Sequence, residues 1–173
     1  LGEVDIVELY RSHREKIQFL VNETSIDFLQ VFNKKEVSNT QSKYLLARIQ
    51  KELSGNTVQM ESVQLEHVFP NKYLEKWSDV IFLNSQKISE IDSEILEGYL
   101  SRIGNHTLLV DLTNTFLTND PYETKIIEYK KETISITKGD ENYSVTKYNN
   151  WNTESIEKRQ KALGVVAKEI WGI

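Results

Sequence analysis

The chain has 173 residues, of which 39% are hydrophobic and 27% charged, so we expect one globular domain with a sizeable core. It contains no cysteine, which excludes disulfides and thiolate metal sites. No apolar run approaches the roughly 20 residues of a membrane helix, and no signal peptide opens the chain. We therefore expect a cytoplasmic protein without a membrane partner. Because the chain begins at Leu1, we also expect it to be part of a longer protein.

Acidic residues outnumber basic ones and are concentrated in the middle of the chain. The formal net charge is −5 at pH 7. Residues 61–128 carry five Lys and Arg against twelve Asp and Glu, whereas residues 1–60 balance and residues 129–173 carry a net charge of +2. A nucleic-acid binder usually shows a basic stripe. If the chain acts on DNA, we expect weak unaided binding, with affinity supplied by a missing domain or a partner.

The first part of the chain has helical periodicity. Apolar residues recur at helical spacing over residues 7–20 and again over residues 26–32. A third helix is predicted to be capped by Asn39 or Thr40 and to end at Gly55.

Strand patterns follow. Residues 58–68 alternate between apolar and polar side chains and stop at Pro70, which predicts a strand. Residues 71–103 form an insertion in which an amphipathic helix is predicted over residues 88–100. A second apolar strand is predicted over residues 107–110.

The remaining residues predict two helices separated by a hairpin. A helix begins at Pro121, which suits the first helical position. Residues 133–148 predict a hairpin that turns at Gly139 and Asp140. A last helix is capped by Asn152 or Thr153.

Two short motifs stand out in this pattern. Residues 66–70 read Glu-His-Val-Phe-Pro, and residues 103–109 read Ile-Gly-Asn-His-Thr-Leu-Leu. A further asparagine, Asn114, follows Asn105 by nine residues. This ordered set resembles the HNH nucleases, whose ββα-metal site holds one divalent cation and one histidine base. It is most similar to the C-terminal nuclease domain of GmrSD-type modification-dependent restriction enzymes.

The resemblance implies an α+β, mostly helical fold in which a ββα-metal (HNH) nuclease core is embedded in a helical domain. We expect a helical lead-in region over residues 1–57 and a nuclease core with a helical insertion over residues 58–132. A C-terminal hairpin and helix over residues 133–173 should pack on that core, so that all three parts form one globular domain.

The resemblance assigns the general base to His67 and a metal ligand to Glu66. Histidine suits a general base because its unperturbed pKa is about 6.5. Neighbouring strand residues point to opposite faces, so the two can share a site only if the strand bends or bulges near Pro70. The alternatives are a histidine that merely hydrogen-bonds a carbonyl and a glutamate that faces solvent.

Asn114 is the second expected metal ligand, and a carboxylate with an amide favours Mg²⁺ or Mn²⁺ over Zn²⁺. Many HNH nucleases carry histidine at that position, which leaves the metal preference open. Asn105 is expected to hydrogen-bond backbone and to fix the loop that presents His67. It is alternatively a turn residue after Gly104.

The basic residues receive weaker assignments. Lys125 matches a lysine of the family and is expected to join the catalytic set by contacting a phosphate, and Arg102 is a further candidate. The family pattern usually has leucine where this chain has His106. That side chain is therefore either a partly buried strand residue or a neighbour of the cleft.

Two functions are consistent with these residues. The first is a metal-dependent DNA endonuclease, the nuclease part of a GmrSD-like restriction and phage-defence protein. The resemblance implies that it acts on modified phage DNA together with an N-terminal domain that recognises the DNA and hydrolyses a nucleotide. The alternative is a degenerate HNH fold that binds DNA or a partner. The intact acid, base and amides favour the endonuclease, whereas the acidity of residues 61–128 favours the alternative.

Overall fold

The computed structural model describes residues 27–55, 58–110 and 119–172. In these ranges the fold is α+β: helices take up about half of the residues, and two small antiparallel sheets contribute four short strands. The predicted α+β class is confirmed. None of the helices in these ranges combines the length and the apolar character that a membrane span requires.

The lead-in region contributes helix α1 (Phe28–Phe32) and helix α2 (Asn39–Ser54). Ser38 caps α2, because its hydroxyl accepts from the Gln41 amide while the Gln41 side chain accepts from the Ser38 amide. The helix therefore starts one residue earlier than a cap at Asn39 would allow. Gly55 ends it at a φ of 69°, the left-handed conformation that the sequence predicted. The helical pattern over residues 7–20 lies outside the described residues.

The two predicted strands are present and pair with each other, but the first begins at Val63 because a 3₁₀ turn (Met60–Ser62) takes the place of its predicted start. Strand β1 (Val63–His67) runs antiparallel to strand β4 (His106–Val110), from Val63 opposite Val110 to His67 opposite His106. The register is continuous, so the bend or bulge at Glu66 and His67 that a shared site would require is not found within this ladder. The two side chains consequently leave β1 on opposite faces.

The insertion between these strands is only partly helical. It forms a small hairpin of β2 (Ile81–Leu83) and β3 (Gln86–Lys87), then helix α3 (Ser93–Leu100). The predicted helix over residues 88–100 is therefore wrong at its start. Asp92 accepts from the Glu94 amide and caps α3, so its short polar side chain fixes the start of the helix.

The C-terminal part contains helix α4 (Tyr122–Tyr129) and helix α5 (Thr153–Trp171). Asn152 caps α5 as the sequence predicted, whereas Pro121 takes the cap position of α4, so that this helix starts one residue later than predicted.

The predicted hairpin over residues 133–148 is wrong. The segment does turn back, and the Val145 amide donates to the Ile136 carbonyl. However, its second arm contains a 3₁₀ turn (Val145–Lys147) in place of a strand. Side chains replace the ladder, because the Ser144 hydroxyl donates to the carbonyl of Ser135.

The β1–β4 sheet separates two hydrophobic clusters. One cluster contains Leu109 and side chains from the insertion, α3, α4 and the start of α5: Val68, Phe69, Trp77, Phe82, Leu96, Tyr99, Tyr122, Tyr129, Trp151 and Ile156. The other contains Leu108 and side chains from α1, α2 and α5: Phe32, Leu46, Ile49, Val63, Ile103, Ile134, Ile136, Leu163 and Ala167. Because side chains alternate along a strand, His67 lies on the α2 side of the sheet and Glu66 lies on the α4 side.

Candidate active site at the end of the β1–β4 sheet

The end of the β1–β4 sheet brings two histidines into contact. His67 and His106 are direct partners across the ladder, so their side chains leave the same face. Their ring centroids lie 4.3 Å apart, and the ring planes meet at 70°. His67 is partly exposed, whereas His106 is fully buried. The two rings are therefore in contact, but only the His67 ring is accessible to solvent.

His67 has the properties of a neutral base. Burial lowers its pKa from the ordinary value, and the positive charge of Lys125 lowers it further. Neither ring nitrogen has a hydrogen-bond partner among the described residues. Because its pKa is lowered, the imidazole is neutral at neutral pH, and the ring nitrogen that carries no hydrogen can accept a proton from water.

His106 cannot act in the same way, because both of its ring nitrogens are engaged. Nε2 lies 2.7 Å from the carbonyl oxygen of Leu100, and Nδ1 lies 2.8 Å from the hydroxyl of Ser42. A carbonyl only accepts, so Nε2 carries the proton and Nδ1 accepts from Ser42. Burial, with the charges of His67 and Arg159, lowers the His106 pKa to about 3. The sequence left two positions open for His106, a partly buried strand residue or a neighbour of the cleft. The structure places it in strand β4, where it is fully buried.

Asn105 holds the turn that follows His67. Its side chain accepts from the Phe69 amide at 2.8 Å and donates to the Phe69 carbonyl at 3.0 Å. Its backbone carbonyl accepts from the Val68 amide at 3.0 Å. The indole of Trp151 also donates to the Asn105 side chain. These are backbone contacts of the kind that the sequence predicted for Asn105, and its part in catalysis stays a prediction.

Glu66 is buried on the opposite face of the sheet. Its Oε1 accepts from Lys125 Nζ at 2.6 Å and from the Tyr129 hydroxyl at 2.9 Å. The alternative of a solvent-facing glutamate is wrong, because the residue is only 6% exposed. Burial and the charge of Glu66 raise the Tyr129 pKa well above its ordinary value, so the phenol remains a donor.

Lys125 clamps helix α4 to the end of β1. Beside Glu66, its ammonium donates to the carbonyls of His67 at 3.0 Å and Val68 at 3.3 Å. The side chain is completely buried, and burial lowers its pKa although Glu66 raises it. This position differs from the predicted phosphate contact. Because α4 packs on β1, a lysine one turn into the helix meets Glu66 instead of solvent.

Arg102 is half-buried and directly precedes the turn that leads into β4. Its guanidinium carbon lies 4.2 Å from the centroid of the Tyr99 ring, and Nη1 lies 3.4 Å from Glu157. Stacking on an aromatic ring leaves donors of a guanidinium available, so Arg102 keeps its candidacy for a phosphate contact.

Only one of the two expected metal ligands lies among the described residues. Asn114 falls outside the described residues. Within residues 27–55, 58–110 and 119–172, no three His, Cys, Asp or Glu side chains come together as a metal site would require. Glu66 Oε1 is committed to Lys125, but Oε2 has no hydrogen-bond partner in the described part of the chain. A carboxylate oxygen of this kind fits a hard cation such as Mg²⁺ or Mn²⁺.

Arg159, which received no functional role from the sequence, organises the start of β4. Its guanidinium is fully buried and donates to five carbonyl oxygens, those of Ile103, Gly104, His106, Ile136 and Tyr143. Burial lowers its pKa to about 10. The signal was present, because Arg159 follows Ile156 by three residues and precedes Leu163 by four. It therefore lies on the apolar face of α5.

Gly104 allows this close approach between β4 and α5. A Cβ at this position would lie 2.2 Å from the carbonyl oxygen of Ile156 and 2.9 Å from Cβ of Gln160. Only glycine leaves room for the backbone there, which explains the glycine in the second motif.

Comparison with known proteins places these features in a family. Residues 20–166 match the family model described as GmrSD restriction endonucleases, C-terminal domain. No curated protein and no solved structure gives a significant match. The family match includes both motifs, the paired strands and most of α5. The chain therefore belongs to the family of GmrSD restriction endonuclease C-terminal domains.

Proposed function

We propose that this chain is a metal-dependent DNA endonuclease in which His67 is the general base. Membership of a restriction endonuclease family supports the class of reaction, phosphodiester hydrolysis in DNA. The observation that carries the assignment of the base is the contrast between the two histidines in contact. His106 is buried with both nitrogens engaged, whereas His67 is partly exposed with both nitrogens free among the described residues.

The proton transfer needs an imidazole that is neutral and held in place. Burial and Lys125 lower the His67 pKa, so the neutral form is present at physiological pH. Asn105 and Lys125 hold the backbone on either side of the turn that begins at His67. A fixed backbone limits the positions that the ring can take, which favours attack by an oriented water.

The cofactor we propose is Mg²⁺ or Mn²⁺, held by Asn114 and by Glu66 through Oε2. Because Glu66 and His67 leave β1 on opposite faces, this proposal requires the ion to lie at the end of the strand, where both side chains can approach one phosphate. When bound, such an ion stabilises charge on the phosphoryl oxygens and assists the leaving oxygen. We further propose that β1, β4 and the segment containing Asn114 form an HNH-type ββα core. The antiparallel pairing of the two strands, with His67 at the end of β1, supports this part of the proposal.

The substrate follows from the family, and the charge distribution suggests how it is reached. A restriction endonuclease domain acts on DNA, and we propose modified phage DNA as the target. The acidic segment over residues 61–128 disfavours tight binding by this chain alone. We therefore propose that an N-terminal domain of the same protein recognises the modified DNA and couples cleavage to nucleotide hydrolysis.

The test is nicking of supercoiled plasmid by the purified protein with Mg²⁺ or Mn²⁺. We expect the parent to cleave and His67→Ala to lose about 10²–10⁴-fold in rate, the usual contribution of a general base. His13→Ala is the matched control, since it removes a histidine remote in sequence from both motifs, and it should cleave at the parent rate. Equal rates for His67→Ala and the parent would refute the assignment. No metal-dependent cleavage by the parent would favour the degenerate binding module.

A further inference from the structure

His106 is the one imidazole in the described residues that the proposed reaction leaves unused. It contacts the proposed base directly and is anchored to another part of the chain. Resting on the proposed function of His67, we propose that His106 is a positioning residue. Its ring, fixed in one orientation by Ser42 and Leu100, holds the His67 imidazole in place while leaving both His67 nitrogens free for the reaction.

The His106 ring is fixed on several sides. Its nitrogens are bound to the Ser42 hydroxyl at 2.8 Å and to the Leu100 carbonyl at 2.7 Å. Rotating the ring by a half turn would place carbon atoms where both nitrogens now lie, and both hydrogen bonds would be lost. The backbone is fixed as well, because Arg159 donates to the His106 carbonyl at 2.6 Å. One ring orientation and one tautomer are therefore strongly favoured.

This fixed ring restricts His67. The edge-on contact, with centroids 4.3 Å apart and planes at 70°, is a favourable geometry for two aromatic rings. Rotamers of His67 that swing toward β4 are excluded, because the His106 ring already occupies that space. An unanchored histidine here could instead hydrogen-bond to His67 and occupy one of its nitrogens. Ser42 and Leu100 prevent this by engaging both nitrogens of His106 themselves.

The anchor also connects the site with helix α2. Ser42 lies in the first turns of α2, is fully buried, and is separated from His106 by 64 positions in the sequence. Ser42 makes no hydrogen bond to His67 among the described residues, so we expect a change at Ser42 to reach His67 through the His106 ring. This makes Ser42→Ala a sensitive test of positioning.

The first measurement is long-range ¹H–¹⁵N NMR of the histidine side chains. The chain has three histidines, so the spectrum contains three imidazoles. We expect the parent His106 to show the neutral form with its proton on Nε2. In Ser42→Ala we expect the Nδ1 signal of His106 to lose its hydrogen-bonded shift and the His67 signals to move as well. Ser42→Thr retains a hydroxyl and should restore the parent pattern. His67 signals that are unchanged in Ser42→Ala would overturn the proposal.

The second measurement is the rate of plasmid nicking, with kcat and KM determined separately. In His106→Leu we expect kcat to fall about two- to tenfold, which corresponds to the loss of one aromatic contact. We expect KM not to change, since His106 is fully buried. His106→Phe retains an aromatic ring and should recover part of kcat. If His106→Leu does not fold, Ser42→Ala carries this test, with a smaller expected fall.

The two proposals fail in distinguishable ways. If His67→Ala cleaves at the parent rate, the proposed function fails, whatever the spectra show. If His67→Ala is inactive, but His106→Leu retains the parent kcat and the His67 signals, positioning by His106 is overturned and the proposed function stands. A fall in thermal stability with unchanged kcat would assign His106 a purely structural role and would also overturn positioning.

Discussion

Lys125 donates to the carboxylate of Glu66 across 2.6 Å, in a pair that is almost completely removed from solvent. The ammonium also binds the carbonyls of His67 and Val68, so one side chain joins helix α4 to a carboxylate and to two backbone carbonyls at the end of β1. The pair therefore fixes the backbone at His67, where the turn after β1 begins. It also leaves Oε2 as the oxygen of Glu66 that is available to a cation.

Removing the lysine should be costly. In Lys125→Met the carboxylate of Glu66 remains buried without its partner, and we expect the free energy of unfolding to fall by about 3–5 kcal/mol. Urea denaturation measures this fall. In the double variant Lys125→Met with Glu66→Leu, no buried charge is left unpaired, and part of the stability should return. Lys158→Ala breaks an exposed pair with Glu154 and should change little. A loss in Lys125→Met no larger than in Lys158→Ala would contradict the clamp.

Asn105 should affect cleavage through the turn after His67. Asn105→Asp keeps the acceptor for the Phe69 amide but loses the donor to the Phe69 carbonyl. We expect slower nicking, and faster hydrogen exchange at the amides of Val68 and Phe69, because the turn opens more often. Asn119→Asp is a matched control, since Asn119 bonds to Glu75 at an exposed site. If nicking is reduced while hydrogen exchange at Val68 and Phe69 is unchanged, Asn105 does not affect cleavage through the turn.

Stability should fall at acid pH because of His106. Its pKa is about 3 in the folded protein and 6.5 as the ordinary value, so the unfolded chain binds a proton first as the pH falls. The free energy of unfolding should thus decrease from about pH 6.5 toward pH 3, by up to about 1.4 kcal/mol per pH unit. His106→Leu should remove this part of the slope, and His13→Leu should not. Denaturation at a series of pH values measures it, and parallel curves for parent and His106→Leu would contradict the prediction.

The response of each variant to added metal should distinguish a general base from a metal ligand. Asn114→Ala should weaken the binding of Mn²⁺, so that excess Mn²⁺ partly restores nicking. His67→Ala should bind metal as the parent does and gain nothing from excess metal. Nicking rates against metal concentration, with calorimetry for binding, test this difference. Rescue of His67→Ala by metal would show that His67 is a ligand.

DNA binding by this chain alone should be weak and should decrease with salt. The net charge of −5 leaves attraction to phosphates as a small, local effect. Fluorescence anisotropy at several salt concentrations, with two unrelated duplexes, measures affinity and sequence preference together. Tight, sequence-specific binding that persists at moderate salt would reveal a recognition surface that this charge distribution does not suggest.

Elements whose own residues determine them were predictable from the sequence. Alternation predicted β1, an apolar run predicted β4, Gly55 predicted the end of α2, and Asn152 predicted the start of α5. The hairpin over residues 133–148 failed because side-chain bonds, such as that from Ser144 to the Ser135 carbonyl, replace the ladder. Periodicity does not register such bonds.

The sequence predicted candidate residues for the site but not the contacts of those residues. The motifs pointed to His67, Glu66 and Asn105, but the difference between His67 and His106 depends on Ser42, 64 positions away. Likewise, nothing near Lys125 in the sequence shows that α4 turns it toward Glu66 and away from solvent. Contacts between distant segments are a property of the packed structure, and a motif alone does not contain them.

The contacts of Arg159 in α5 determine when, during synthesis of the chain, the end of the β1–β4 sheet can form completely. Arg159 binds the carbonyls of Gly104 and His106, yet it follows them by more than fifty residues. While a ribosome is still making the intervening residues, both histidines have been synthesised but the strand that aligns them lacks this clamp. The candidate site can thus reach its final geometry only after α5 has emerged from the ribosome.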